Sequence, residues 1–86
     1  MVKNKVKLKE KGLTLSCAES CTGGLIAANI TAVSGASEVF GLGVVSYAEV
    51  MKRKILKVPK KTLKNFGTIA PDTAYYMAKG VRRKAK

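Results

Sequence analysis

The spacing of apolar residues changes along the chain, and each change predicts a new structural element. Leu13, Leu15 and Cys17 alternate with polar residues, as in a β-strand. Beyond a run of small residues, apolar side chains recur at the spacing of one helical face: Leu25, Ile26, Ile30 and Val33. The pattern predicts a strand that runs into a tight turn, followed by a helix that begins near Thr22, whose hydroxyl is suited to cap it.

After Ser34-Gly35, which breaks this helix, strand-like and helix-like patterns continue to alternate. Residues 41–47 are typical of a buried strand, and residues 48–57 predict a short basic helix that Pro59 ends. A brief apolar turn closed by Gly67 follows, and Pro71 suits the first turn of a last helix. The apolar residues that define these elements are Leu42, Val44 and Val45 in the strand, Met51 and Ile55 in the basic helix, Leu63 and Phe66 in the turn, and Ala74, Ala78 and Val81 in the last helix.

Strands that alternate with helices predict an α/β layer architecture with parallel strand pairing. At 86 residues the chain is long enough for one small domain, spanning residues 1–86. Two or three short strands make a narrow sheet with exposed edges, and proteins usually cover or pair such edges. We therefore expect a homo-oligomer, at least a dimer.

The net charge of +12 favours anionic partners such as nucleotides, nucleic acid or acidic surfaces, although a solvated lysine-rich surface is the simpler explanation. No known nucleic-acid-binding motif accompanies the charge, so a nucleic-acid partner is possible but unsupported. No segment approaches the roughly 18 apolar residues of a membrane span. Two cysteines four positions apart, flanking a tight turn, are typical of reduced thiols in a cytoplasmic protein.

The most informative segment is the corner at Glu19-Ser20-Cys21-Thr22-Gly23-Gly24. It places a hydroxyl, a thiol and glycine N–H groups where the strand meets the helix. A helix N-terminus leaves N–H groups unpaired and carries partial positive charge, which stabilises anions and developing oxyanions. The corner therefore brings a candidate nucleophile close to a candidate oxyanion site.

This corner, preceded by Lys11-Gly12-Leu13-Thr14-Leu15, resembles the opening of the CinA C-terminal domain family, the competence/damage-inducible domains that include nicotinamide mononucleotide (NMN) deamidases. The resemblance continues through these residues and segments: Val33 to Ser37, Gly43 to Tyr47, Lys52, Ile55 to Pro59, Thr62-Leu63, Phe66-Gly67 and Ala74 to Gly80. It implies a layered α/β/α fold with a small, mostly parallel sheet. The family domain is about twice this long, so the resemblance also implies a truncated domain that lacks the family's second half.

The N-terminal residues are ambiguous by pattern alone. Val6-Lys7-Leu8-Lys9 alternates as in a strand, whereas Val2 and Val6 have helical spacing. The resemblance favours a helix that ends at Gly12, and glycine suits that position.

The resemblance matches Ser20 to the family's catalytic serine, and a serine nucleophile needs a base. The chain contains no histidine, so Lys52 and Tyr47, which follow the second predicted strand, are the remaining candidates. Lys52 must be deprotonated to accept a proton, a state that burial and neighbouring positive charge favour. Tyr47 could orient Lys52 or donate to the substrate carbonyl. An exposed helix lysine and a core tyrosine are the alternative interpretations.

The other corner residues are candidates for substrate binding. Glu19 orders the turn, meets a positively charged pyridinium, or pairs with a nearby lysine. Cys21 is a rival nucleophile, since a thiol at a helix N-terminus can have a lowered pKa. Thr22, Gly23 and Gly24 fit a helix cap and a tight turn that lets a ligand approach the backbone.

Three functional hypotheses follow. The first is a CinA-like amidohydrolase that deamidates NMN through Ser20, with Lys52 as base, Tyr47 as helper and backbone N–H groups of 21–24 as the oxyanion site. It requires no metal and no organic cofactor, and the residue pattern offers no metal site. The second is a non-catalytic nucleotide-binding or interaction module of the same fold. The third is a basic nucleic-acid-binding protein.

Overall fold

The computed structural model of the chain describes residues 2–86, with side chains described from Asn4 onward. The elements in chain order are α1 (Val2–Glu10), β1 (Leu15–Glu19), α2 (Leu25–Thr31), a 3₁₀ turn (Ala36–Glu38), β2 (Phe40–Val45), α3 (Glu49–Lys54), α4 (Lys60–Phe66) and α5 (Pro71–Lys84). The predicted α/β fold is confirmed, and so is the N-terminal helix, which Gly12 follows with a left-handed φ of 67°.

The two strands form a parallel pair, as the alternation of strands and helices predicted. Cys17 lies opposite Gly43 and Glu19 lies opposite Val45. At one end the Leu15 N–H donates to the Val39 carbonyl at 2.7 Å, and at the other the Ser46 N–H donates to the Glu19 carbonyl at 2.9 Å. This pairing holds the residues that follow β1 next to the residues that follow β2.

Helices cover both faces of this sheet. On one face Ala27 of α2 lies against Gly43, where an added β-carbon would sit 3.2 Å from that of Ala27. On the other face Leu42 and Val44 pack against a buried cluster that includes Met77 and Val81 of α5. Because successive strand residues point to opposite faces, α2 and α5 lie on opposite sides of the sheet.

A hydrophobic core cluster lies on the α5 side of the sheet. It consists of Leu56, Val58, Leu63, Met77 and Val81, with Leu56 fully inaccessible. Gly80 permits this packing, because a β-carbon at that position would overlap the Leu56 backbone carbonyl. The fold therefore requires a residue without a side chain at this point of α5.

Several sequence-based element boundaries are wrong. The helix expected near Thr22 begins at Leu25, since Gly24 precedes it with a left-handed φ of 111°. The basic helix ends at Lys54, and Pro59 stands at the start of α4. Leu63 and Phe66 belong to that helix rather than to a turn. Tertiary contacts and turn geometry determine where these short elements begin and end, and the spacing of apolar residues does not reveal either of them.

The buried faces of two helices also differ from the prediction. Met51 and Ile55 are exposed, whereas Lys52 and Leu56, also four residues apart, are buried. On α5, Ala74 and Ala78 are exposed and the buried face is Thr73, Met77, Gly80 and Val81. Lysine is rarely buried unless its amine is paired, so the buried Lys52 on α3 marks a candidate functional group.

Helix α1 is linked to the rest of the chain by Glu38, which forms ion pairs with Lys9 at 3.2 Å and Lys5 at 3.5 Å. The hydrogen bond from Lys9 and the nearby charges lower the pKa of the Glu38 carboxyl below its ordinary value. Among the described helices, none is long and apolar enough to cross a membrane.

Candidate active site

Ser20 directly follows β1, at the carboxyl end of the sheet, as predicted. Cys21, Thr22, Gly23 and Gly24 form the turn that leads to α2. Both glycines have left-handed φ values, 63° and 111°, and both precede the helix rather than lying in its first turn as expected. Residues with a β-carbon rarely adopt this backbone, so the glycines set the shape of the corner.

Glu19 organises this turn. Its side chain is 2% exposed, and its Oε1 accepts hydrogen bonds from the Thr22 hydroxyl at 2.7 Å and the Ile26 N–H at 2.8 Å. Its Oε2 accepts from the Ala27 N–H at 2.9 Å. The carboxylate thus occupies the N-terminus of α2, and Thr22 binds Glu19 instead of capping the helix as predicted.

The pKa of Glu19 reflects these contacts. Burial alone raises it, but the hydrogen bonds from Ala27, Thr22, Ile26 and Gly24 together hold the pKa below the ordinary value. Glu19 is therefore a buried carboxylate whose charge the turn itself satisfies. Of the roles considered, ordering the turn fits this geometry, and Glu19 forms no ion pair with a lysine among the described residues. Glu19 also lines the cleft, so its contact with a substrate pyridinium stays a prediction.

Lys52 reaches the corner from α3. Its side chain is 1% exposed, and its Nζ lies 2.9 Å from the Ser20 Oγ. The same Nζ donates to the backbone carbonyls of Ser46 at 2.7 Å and Tyr47 at 3.0 Å. The Lys52 Nζ thus connects Ser20, which follows β1, with Ser46 and Tyr47, which follow β2.

These three partners restrict what the amine can do. Carbonyl oxygens only accept, so Ser46 and Tyr47 take two of the amine hydrogens. In the ammonium form the third hydrogen points to the Ser20 Oγ. In the neutral form the lone pair takes that position and accepts the Ser20 hydroxyl hydrogen. The contact between Lys52 and Ser20 is therefore arranged for proton transfer once the amine is neutral.

Tyr47 contributes its backbone rather than its ring. Its residue is 76% exposed, and its hydroxyl forms no hydrogen bond with any part of the chain that the structure describes. The side chain nevertheless lines the cleft in front of Ser20. The helper role of its hydroxyl stays a prediction, whereas the Tyr47 carbonyl is a partner of Lys52 that side-chain chemistry alone does not predict.

The N–H groups of the turn are only partly available. Gly23 donates to the Ser20 carbonyl at 3.1 Å, and the N-terminal N–H groups of α2 serve Glu19. The N–H groups of Cys21 and Thr22 have no hydrogen-bond partner between residues 2 and 86. Within residues 21–24, the N–H groups of Cys21 and Thr22 are therefore the donors left for an oxyanion, and that role stays a prediction.

Cys21, the rival nucleophile, is an exposed free thiol. Cys17 is half-buried, and burial, followed by the charge of Glu19 and a 3.8 Å hydrogen bond to it, raises the pKa of its thiol. Of the two nucleophile candidates, Ser20 is the one whose side chain is in contact with the Lys52 amine. In the described part of the chain, no group of three or more His, Cys, Asp or Glu residues is placed to hold a metal ion.

The site opens into a cleft of about 1140 Å³ that runs along β1 towards α5. Ser20, Cys21, Thr22, Tyr47 and Lys52 all line it. Ser46, whose carbonyl holds Lys52, was missed by sequence reasoning because a backbone acceptor leaves no mark in side-chain chemistry. The burial of Lys52 had one signal in the sequence, its position four residues before Leu56, which is also buried.

Comparison with known proteins gives this corner a context. The sequence profile of the CinA C-terminal domain matches residues 2–86. The chain belongs to the CinA C-terminal domain family. A putative competence-damage inducible protein of Caldanaerobacter subterraneus subsp. tengcongensis is 54% identical over 79 residues, and a CinA-like protein of Geobacter sulfurreducens is 51% identical over 77 residues. These matches cover 92% and 90% of the chain.

Solved structures of the family share the fold. The competence/damage inducible protein CihA from Agrobacterium tumefaciens is 40% identical, with a TM-score of 0.90 over 95% of the chain. A CinA superfamily protein from Escherichia coli is 31% identical, with a TM-score of 0.93 over 96%. The chain spans 19% of the length of both sequence relatives, and 50% and 48% of the two solved chains.

Proposed function

We propose that this CinA-family chain carries the nucleophile and base of an amidohydrolase that converts NMN to nicotinate mononucleotide and ammonia. The observation that supports the proposal is the contact between Ser20 Oγ and the buried Lys52 Nζ at 2.9 Å. A hydroxyl and a buried amine in contact at the mouth of a cleft form a nucleophile and base pair that needs no histidine.

In the first half of the proposed reaction, the Ser20 Oγ attacks the carboxamide carbon and Lys52 accepts the hydroxyl proton. The developing oxyanion is held by the N–H groups of Cys21 and Thr22. Lys52 then gives the proton to the amide nitrogen, the carbon–nitrogen bond breaks, and ammonia leaves. The product is an ester between the nicotinoyl carbon and Ser20.

In the second half, water replaces ammonia. Lys52, neutral again, takes a proton from the water as its oxygen attacks the ester carbon. The carbon–Oγ bond breaks, Lys52 returns the proton to Ser20, and the carboxylate product leaves. Every proton therefore passes through one nitrogen whose other two hydrogens stay bonded to Ser46 and Tyr47.

The test separates the chemistry of the pair from the recognition of the substrate. A fluorophosphonate probe reacts with base-activated serines by forming an oxygen–phosphorus bond and releasing fluoride, and it requires no NMN pocket. We expect the chain to gain one probe adduct on Ser20 by mass spectrometry, and Ser20→Ala to gain none. Ammonia release from NMN is then measured on the same samples.

The outcomes distinguish the hypotheses. Labelling of Ser20 together with ammonia release supports the NMN deamidase. Labelling without ammonia release supports an activated serine but rejects NMN as a substrate of this chain. Neither labelling nor ammonia release rejects the amidohydrolase and favours the non-catalytic module.

A further inference from the structure

We propose that a basic surface formed by the start of α4 and the end of α5 binds duplex nucleic acid through the phosphate backbone, without reading the base sequence. This surface, which we call the basic cluster, consists of six exposed residues: Lys54, Lys57, Lys60, Lys61, Arg83 and Lys84. None of the six lines the cleft in front of Ser20, so this binding goes beyond the proposed hydrolysis and does not depend on it.

Packing between α5 and the segment before α4 brings the cluster together. Leu56 lies directly against α5, because a β-carbon at Gly80 would overlap its carbonyl, and the Arg83 guanidinium donates to the same carbonyl at 3.4 Å. At the other end of the helix pair, the Thr73 hydroxyl donates to the Gly67 carbonyl at 2.6 Å. Helices α4 and α5 therefore run antiparallel, and the first turn of α4 lies beside the last turns of α5.

No carboxylate balances the charge of the basic cluster. The acidic residues of the chain are Glu10, Glu19, Glu38, Glu49 and Asp72. Asp72 lies in the first turn of α5, about 16 Å along the helix axis from Arg83, and Glu49 lies at the opposite end of α3 from Lys54. The ion pairs of the described chain all belong to Glu38 and lysines of α1. The cluster therefore presents charge of a single sign, which attracts polyanions.

The positions of three of these lysines disfavour the folded chain on its own. Lys60 and Lys61 occupy the first turn of α4, where the helix macrodipole is positive and carboxylates are preferred. Lys57 has a left-handed φ of 58°, the one described residue other than glycine with a positive φ. Arg83 and Lys84, by contrast, suit the negative end of α5. A solvated surface does not require lysines at positions 57, 60 and 61, whereas a bound polyanion offsets the repulsion they create.

The surrounding residue types decide which polyanion fits. Segments 48–65 and 77–86 contain no aromatic residue, so the surface has no platform on which unpaired bases could stack. The apolar residues packed beneath it are buried and unavailable for insertion into a membrane: Leu56, Val58, Leu63 and Val81. Duplex nucleic acid needs neither contact, because it carries about one negative charge per 1.7 Å of helix axis on its outside. Exposed lysine and arginine side chains match this chemistry.

Binding of a short fluorescein-labelled DNA duplex, followed by fluorescence anisotropy at about 50 to 200 mM salt, tests the proposal. We expect micromolar affinity at the lowest salt and a linear fall of the logarithm of the binding constant with the logarithm of salt concentration. The slope should be about −4 to −5, which corresponds to about five phosphate contacts. A duplex of the same composition and scrambled sequence should bind equally well.

Two double variants locate the contact. Lys60→Glu/Lys61→Glu should weaken binding at least tenfold at the lowest salt. The same variant should raise the melting temperature, because carboxylates suit the first turn of α4, so its lost affinity is not a lost fold. Lys7→Glu/Lys11→Glu is the matched control, since it changes the net charge equally at two exposed lysines outside the cluster. It should weaken binding less than threefold.

Lys57→Gly separates binding from structure at a single position. Glycine adopts a left-handed backbone without strain, so this variant should be no less stable than the parent chain. It removes one cluster charge, so it should weaken binding about threefold and make the salt slope shallower by about 1. Thermal unfolding and anisotropy on the same samples measure both effects.

The remaining probes decide between partners. Ser20→Ala should bind the duplex like the parent chain, which separates this binding from hydrolysis. Single-stranded DNA of the same length, vesicles of phosphatidylserine and phosphatidylcholine, and polyglutamate are the competing partners. The proposal is overturned if the two double variants lose affinity alike, if the affinity does not fall with salt, or if any competing partner binds more tightly than the duplex.

Discussion

Replacement of Lys52 by arginine tests the mechanism most directly. Arginine keeps a positive charge and can donate to the Ser46 and Tyr47 carbonyls, but it stays protonated and cannot accept the Ser20 proton. If Lys52 is the base, Lys52→Arg should be nearly as damaging as Lys52→Ala. If Lys52 supplies only charge, Lys52→Arg should keep near-normal activity.

The structure sets the expected magnitudes. A general base contributes about 10² to 10⁴ in rate, and we expect Lys52→Arg to lose an amount in this range. The site is also full, because Lys52 is 1% exposed. Overpacking of this kind costs about 1 to 3 kcal/mol of stability. Lys52→Ala leaves the buried Ser46 carbonyl without a donor, at about 1 to 3 kcal/mol, and also removes the donor of the partly buried Tyr47 carbonyl.

The assay follows fluorophosphonate labelling of Ser20 and ammonia release from NMN at one fixed pH. The rate in Lys52→Arg should fall below that of the parent chain by about 10² to 10⁴, because arginine cannot accept the Ser20 proton. Thermal unfolding of each variant corrects the rates for the folded fraction. Lys54→Arg, on the exposed face of the same helix, is the matched control. Near-normal labelling of Ser20 in Lys52→Arg would refute Lys52 as the base.

Four further predictions follow. Ser20→Ala should lower turnover by orders of magnitude while Cys21→Ala is much milder; the reverse ranking in the same assay would move the nucleophile to Cys21. In the parent chain, the lowered pKa of Glu19 contributes stability that is fully present above the unfolded glutamate pKa of about 4.3 and is lost as the pH falls through the folded pKa. Glu19→Gln should remove this contribution. Chemical denaturation of both proteins at pH 2 to 7 measures it, and equal pH profiles would contradict the prediction. Gly80→Ala should destabilise the fold by about 1 to 3 kcal/mol, because its β-carbon overlaps the Leu56 carbonyl, despite the better helix propensity of alanine; an unchanged melting temperature would exclude that overlap. The chain alone should self-associate at least to a dimer, since it leaves a sheet edge and apolar side chains exposed, and sedimentation equilibrium that finds a folded monomer at high micromolar concentration would contradict this.

The sequence predicted the elements whose patterns are local. Alternation located β1, and Pro71 marked the start of α5, because each depends on backbone preferences of a few neighbouring residues. It also located Ser20 at the end of the strand. The start of α2 was missed, since the carboxylate of Glu19 takes the place of the expected Thr22 cap from the preceding strand. A cap supplied from seven residues away has no signature in the helix sequence itself.

The contact between Ser20 and Lys52 was inferred from the resemblance and from the lack of histidine, but its geometry was out of reach. The two residues are 32 positions apart, and their distance depends on the strand register and on the rotation of α3. That rotation buries Lys52 with Leu56 and exposes Met51 and Ile55, the reverse of what apolar spacing favours. Burial of a lysine in place of a methionine runs against the hydrophobic pattern, and such local violations are expected at functional sites.

The Ser20–Lys52 pair depends on both strands and on α3, which carries Lys52. β1 delivers Ser20, and the residues after β2 deliver the two carbonyls that hold the Lys52 amine. The parallel register that joins Glu19 to Ser46 brings the three groups together without any contribution from a third strand. A lysine in contact with two carbonyls and a hydroxyl is therefore a property of the two strands and α3, whereas the walls that select a substrate belong to the cleft in front of Ser20. Serine reactivity and substrate selectivity should consequently separate in experiment: fluorophosphonate labelling of Ser20 tests the Ser20–Lys52 pair alone, whereas ammonia release from NMN also tests the walls of the cleft.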